Sequence, residues 1–190
     1  MNLVEVVNGT RTHIDEALVA GLVARVLEEE SVHGAEVSVT FVGEARMRDL
    51  NREHRGKDEV TDVLSFPLED WEPADEVDET VDGAGSAEQA RAVVTAALAP
   101  DLGELAEAVV AGTAGPPLLL GDIVICTRRA LEQARGDDLP PSLEMAVLLA
   151  HGTLHLLGYD HETDAGQMAL RQAEVLELVE WEGIVVAPAR

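Results

Sequence analysis

His151-Gly-Thr-Leu-His155-Leu-Leu-Gly158-Tyr-Asp-His161 gathers three of the chain's six histidines into one short run. His151 and His155 are four residues apart, so on a helix they lie one turn above the other on the same face. Gly158 follows where a helix that must stop abruptly needs a residue tolerant of positive φ. The chain can then fold back and bring His161 to the same point. Three neutral imidazoles with a fourth position left for water describe a catalytic zinc site more than a structural one. The competing reading, two core histidines and a surface one, explains neither the spacing nor the glycine.

Outward from this run, Ser142 reads as the cap of a long apolar helix through Leu143, Val147, Leu148, Leu149 and His151, with Glu144 behind the cap. Gly121 to Ile125 is a tightly apolar strand, read as interior to a sheet, and Thr127 to Ala134 a short helix. Toward the N-terminus, Leu3 to Val7, Val37 to Val42 and Val60 to Phe66 read as strands. Ile14 to Glu29 and Glu44 to His54 carry helical periodicity between them. Thr163 to Glu180 reads as an amphipathic helix over Met168, Leu170, Val175 and Leu178. Strands and helices interleave, which predicts an α/β fold: a small mixed four-stranded sheet packed with helices, the zinc site on a helix and the turn after it.

Residues 69 to 117 break this rhythm. Their first half is acidic and their second half, from Ala87 to Ala111, is Ala-rich. The expectation is one domain over residues 1–190 carrying an insertion at 69–117, a flexible acidic loop followed by one or two short helices.

The formal charge of −24 disfavours polyanions as a whole, yet its distribution is uneven. Nine acidic residues and no Lys or Arg lie between Leu68 and Arg91, whereas Arg46, Arg48, Arg52, Arg55 and Lys57 cluster in the segment before them. The competing reading of Arg46, Arg48 and Arg52 is a solvated helix face paired with Glu44, Asp49 and Glu53. Cys126 is the sole cysteine, which excludes an intrachain disulfide and a cysteine-based zinc cluster. No secretory pattern opens the sequence and no apolar stretch reaches membrane-spanning length, so the expected setting is cytoplasmic.

HGTLHLLGYDH resembles the signature of the YbeY-type family, bacterial endoribonucleases that act as rRNA maturation factors. Leu50-Asn-Arg-Glu-His-Arg55-Gly-Lys-Asp-Glu-Val-Thr-Asp62-Val-Leu-Ser-Phe-Pro67 and Leu120-Gly-Asp122-Ile-Val-Ile125 agree with it. The likeness covers most of the chain outside 69–117, in the family's order. It departs in the long insertion, which members usually bridge in far fewer residues, and at His54, where the family commonly shows Tyr. The resemblance implies one zinc ion per chain, held by His151, His155 and His161, and single-strand-directed RNA cleavage in rRNA maturation and ribosome quality control. It implies Arg55 as the functionally important arginine, and as partners rRNA and the small ribosomal subunit or its associated proteins, with no DNA and no membrane.

The residues fit that chemistry on physical grounds. Zinc held by neutral imidazoles keeps its full charge for a phosphodiester oxygen. Arg55 offers a planar fork for a phosphate and for transition-state charge; Arg48, Arg52 and Lys57 are candidate RNA contacts. Zinc peptidases of the His-Glu-x-x-His type carry their general base beside the first ligand, where this chain has Gly152, which argues against peptide hydrolysis. The proton acceptor is left open between metal-activated solvent and a carboxylate such as Asp160, itself read first as a turn residue or a partner that orients a ligand. Asp62 and Asp122 read as structural and Ser65 as a strand residue. The alternatives are a zinc metallopeptidase, or a ribosome-associated factor whose zinc is mainly structural.

Overall fold

A computed structural model of the chain describes residues 1–68, 118–161 and 163–185. The insertion expected at 69–117 lies outside the described residues. Four strands, β1 (Leu3–Asn8), β2 (Ala35–Val42), β3 (Val63–Pro67) and β4 (Leu118–Cys126), form one sheet in the order β1-β2-β4-β3. β1, β2 and β4 are mutually parallel, and β3 closes the edge antiparallel to β4. The described helices are α1 (Glu16–Glu29), α2 (Glu44–Arg55), α3 (Thr127–Gly136), α4 (Pro141–Leu156) and α5 (Gln167–Leu176). The mixed α/β sheet expected from the sequence is therefore the observed one.

Strand alternation sorts the core into two faces. In β2, Val37, Val39 and Phe41 are fully buried, and with Ile123 and Ile125 of β4 they meet Leu22, Val23 and Val26 of α1 and Leu149 and Leu154 of α4. Each such aliphatic side chain contributes about 1.5–3 kcal/mol by leaving water. The opposite face carries a smaller cluster, Val42, Leu64, Val124 and Cys126, covered by Met47 and Leu50 of α2. α4 is buried on nearly all sides, which is why its sequence shows an apolar run rather than a clean stripe.

Several boundaries differ from the sequence expectation. Ser142 does not cap α4: Pro140 precedes the helix and Pro141 occupies its first turn, where a missing N–H costs nothing. The Ser142 hydroxyl instead accepts the Val185 amide at 3.1 Å. α1 starts later than Ile14, because Asp15 is its cap and accepts the Ala17 and Leu18 amides, both at 3.1 Å. α5 is shorter than expected at both ends. Asp164 accepts the amides of Gly166 and Met168, both at 2.7 Å, and so bends residues 163–166 into a turn. The register this sets buries Met168 and Val175 but leaves Leu170 and Leu178 exposed, against the expectation that all four face inward.

β4 is longer than Gly121 to Ile125 and lies between β2 and β3. Its register against β2 slips at Gly121, where φ is +143° and a Cβ would collide with the Phe66 carbonyl oxygen across the β3 pairing. Just beyond, the Leu68 amide donates to the Leu120 carbonyl at 2.9 Å. The chain thus leaves the sheet after Leu68 and rejoins it at Leu118, at neighbouring positions of an antiparallel pair.

Candidate metal centre

The last turns of α4 and the reverse turn after it build the site. His151 and His155 lie on one face of the helix, with Nε2 atoms 3.1 Å apart. α4 ends at Leu156 and Gly158 takes φ +84°, so the chain doubles back. The Tyr159 amide closes that turn on the Leu154 carbonyl at 3.1 Å. His161 then faces the other two rings, at centroid distances of 5.3 Å from His151 and 5.2 Å from His155.

Ligand nitrogens of the three residues all lie within 4.8 Å of one another, and among the described residues this is the group so arranged. Nitrogens bound at about 2.0–2.1 Å to a tetrahedral zinc stand roughly 3.4 Å apart. The His151 and His155 nitrogens already have nearly that spacing, and His161 sits on an exposed turn. The donor set fits a borderline divalent metal that accepts imidazole. Burial lowers the pKa of His151, assisted by His161 and opposed by a hydrogen bond to Gln172 and the charge of Asp62. Burial likewise lowers that of His155, as does neighbouring His151, against a backbone hydrogen bond to Tyr159. Both shifts favour the neutral ring, the state a metal ligand requires.

Two residues that support this site were not apparent from the sequence. Gln172 of α5 places its side-chain oxygen 3.0 Å from His151 Nδ1. Glu30, at the C-terminus of α1, accepts the Tyr159 hydroxyl at 2.9 Å and pairs with Arg171, whose guanidinium also donates to the Glu29 carbonyl at 2.9 Å. The half-buried Glu30–Arg171 pair anchors both the turn that carries His161 and the helix that carries Gln172. No sequence pattern links Glu30 to residues so distant, and a glutamine on an amphipathic helix carries no signal of its own.

Gly152 is where α4 crosses the sheet. A Cβ there would stand 2.8 Å from Ile123 Cγ2 and 3.2 Å from Ser65 Oγ. The Ser65 hydroxyl donates to the Gly152 carbonyl at 3.3 Å, so Ser65 is engaged by the helix backbone. A glutamate at this position has no room.

Asp160 forms the reverse turn: its carbonyl accepts the Thr163 and Asp164 amides at 3.1 and 3.0 Å, and its carboxylate accepts the Thr163 hydroxyl at 3.1 Å. Its charge opposes, as the smallest contribution, the lowering of the His155 pKa. Asp62 accepts the Val63 amide and the Thr61 hydroxyl at the start of β3, and its carbonyl accepts the Cys126 amide. Asp122 stands in β4 opposite Ser38 and Phe66.

The cationic segment is α2 and the loop after it. Arg48 makes a two-pronged pair with Asp58 at 2.8 and 2.9 Å, and Arg52 pairs with Asp49 at 2.6 Å and Asp58 at 3.4 Å. Glu44 pairs with Arg128 rather than within its own helix. Arg55, the last residue of α2, and Lys57 are exposed, and among the described residues neither side chain has a hydrogen bond or ion pair. His54 meets Phe66 edge-on at 4.8 Å, so an aromatic ring is what this position uses.

Comparison with known proteins follows the same residues. The family model described as Endoribonuclease YbeY matches residues 5–180. A Bacillus mycoides protein named Endoribonuclease YbeY is 36% identical over 180 residues, 92% of this chain and 94% of its own. A Thermoanaerobacter protein of the same name is 38% identical over 160 residues, 84% of this chain and 82% of its own. A solution structure from Thermotoga maritima superposes with a TM-score of 0.52 at 22% identity, over 92% of this chain and 87% of that one, a likeness of fold.

Proposed function

Given that the chain belongs to the Endoribonuclease YbeY family, we propose that it is a single-strand-specific, zinc-dependent endoribonuclease. We propose further that it acts in maturation of the 16S rRNA 3′ end and in ribosome quality control, in the cytoplasm and in contact with the small ribosomal subunit. The observation that carries this reading is the convergence of His151, His155 and His161 within 4.8 Å inside the family's own motif. One domain over residues 1–190 would hold the activity, with 69–117 as an appendage.

A zinc ion held by these three imidazoles would supply Lewis acidity to a phosphoryl oxygen and acidify a water molecule in its open position. The chain's residues supply the rest. Arg55 offers five donors in a fixed fork, suited to two phosphate oxygens and to the added charge of a five-coordinate phosphorus. Lys57, and Arg48 and Arg52 once exchanged from their acidic partners, would hold the backbone of the strand. Asp160 fixes the turn and adds negative charge beside His155. The lack of room at Gly152 speaks against a metallopeptidase, since the usual glutamate base cannot be accommodated beside the first ligand.

The test is cleavage of an unstructured RNA by purified protein, alongside His155→Ala and Arg55→Glu. Cleavage that disappears in both variants and on chelation supports the proposal. Equal cleavage by all three proteins sinks it, and chelator-sensitive hydrolysis of casein by the wild type would establish the peptidase instead.

A further inference from the structure

Gln172 reaches the triad from a different element, with its side-chain oxygen against His151 Nδ1. With Gln172 Oε1 3.0 Å from His151 Nδ1, and a side-chain carbonyl able only to accept, the contact is a hydrogen bond when neutral His151 carries its proton on Nδ1. Nε2 is then left bare, and Nε2 is the atom that faces His155 at 3.1 Å. The opposite tautomer would put a proton on the nitrogen directed into the cluster and leave two acceptors, Nδ1 and the glutamine oxygen, facing each other.

We propose that Gln172 is a positioning residue for the metal centre: it selects the Nδ1–H tautomer of His151 and fixes the ring so that Nε2 is the ligand atom. The inference rests on reading the triad as a metal site and goes beyond it, because it assigns the ligand atom and the residue that chooses it. Ligating histidines commonly give their second N–H to such a partner.

The surrounding packing makes Gln172 suited to the task. Arg171, its chain neighbour, is held by Glu30, Glu174 and the Glu29 carbonyl. Met168 and Val175, on the same helix, are buried in the main core. The glutamine carbonyl is therefore delivered by a helix anchored on both sides, with little freedom to follow a misplaced ring. His155 has its own backbone contact with Tyr159, so each of the two helical ligands is oriented by a group outside α4.

Two measurements on the full chain test this. In metal-free protein, long-range ¹H–¹⁵N correlations of the histidine rings should report His151 as the Nδ1–H tautomer. Gln172→Leu should turn this into a mixture, whereas Gln172→Glu, which keeps an acceptor oxygen, should preserve it. Zinc affinity, read by competition with a chromophoric chelator, should fall on the order of 10–100-fold in Gln172→Leu and recover in Gln172→Glu. An unchanged tautomer together with unchanged zinc affinity in Gln172→Leu would overturn the proposal. So would the Nε2–H tautomer in the wild type. Wild-type protein that binds no zinc would overturn the metal reading itself, a result distinguishable from both.

Discussion

Ser65 and Gly152 join the edge of the sheet to the helix that bears the first two histidines: the serine hydroxyl donates to the glycine carbonyl at 3.3 Å, and a Cβ on Gly152 would stand 3.2 Å from that hydroxyl and 2.8 Å from Ile123 Cγ2. The absent side chain is thus what lets α4 approach β3 and β4.

Gly152→Ala should therefore destabilise the protein. Overpacking a close contact costs about 1–3 kcal/mol, and the better helix propensity of alanine returns up to about 1 kcal/mol. Chemical denaturation measures the net loss. Gly152→Glu should be worse than alanine; a variant that folds with native stability and gains peptidase activity would refute this packing account.

Glu144, two turns before His151, is 4% exposed, and among the described residues its Oε1 has no hydrogen-bond partner. Burial raises its pKa, helped by the charges of Asp62 and Asp137. A carboxyl whose folded pKa is raised binds more protons folded than unfolded, so stability should fall as pH rises from about 4.5, the ordinary glutamate value, through the folded pKa. Glu144→Gln should remove this slope and be more stable than wild type at pH 7 by roughly 1 kcal/mol. Melting temperature as a function of pH decides the matter; parallel profiles for the two proteins would count against it.

Arg55 has no hydrogen bond or ion pair to lose among the described residues. Arg55→Ala should leave thermal stability within about 0.5 kcal/mol while slowing RNA cleavage about 10²–10³-fold, the usual loss for one donor to a developing anion. Arg55→Lys should recover little, because a point charge does not reproduce the fork. Cleavage unaffected by either change would remove Arg55 from the mechanism.

Residues 69–117 connect two strands whose flanks are already hydrogen-bonded, Leu68 to Leu120. Replacing them by a short turn should preserve the circular dichroism of the folded state and zinc binding, since closing a shorter loop between paired ends costs less entropy. An unfolded product would show that the segment belongs to the core.

How much was legible beforehand depended on sequence distance. His151, His155 and Gly158 declare themselves because helical geometry ties residues three or four apart. β2 was readable because Val37, Val39 and Phe41 alternate with polar neighbours. Ser142 misled because a serine before an apolar run looks like a cap, while the prolines beside it start the helix without one. Of the ion pairs expected inside α2, Arg52–Asp49 is present, but Asp58 from the following loop also takes both Arg48 and Arg52, and Glu44 turns to Arg128 on α3. Gln172 and Glu30 were out of reach altogether, since their contacts exist only once the chain is folded.

The Glu30 anchor has a consequence for timing. Its bonds to Tyr159 and Arg171 span 129 and 141 residues of sequence. Contacts of such high order form late, after most of the loop entropy has been spent. Until α5 docks, His151 therefore lacks its Gln172 contact and the turn that carries His161 lacks the Arg171 half of its anchor, so the candidate metal centre takes its final shape only with the closing of the fold.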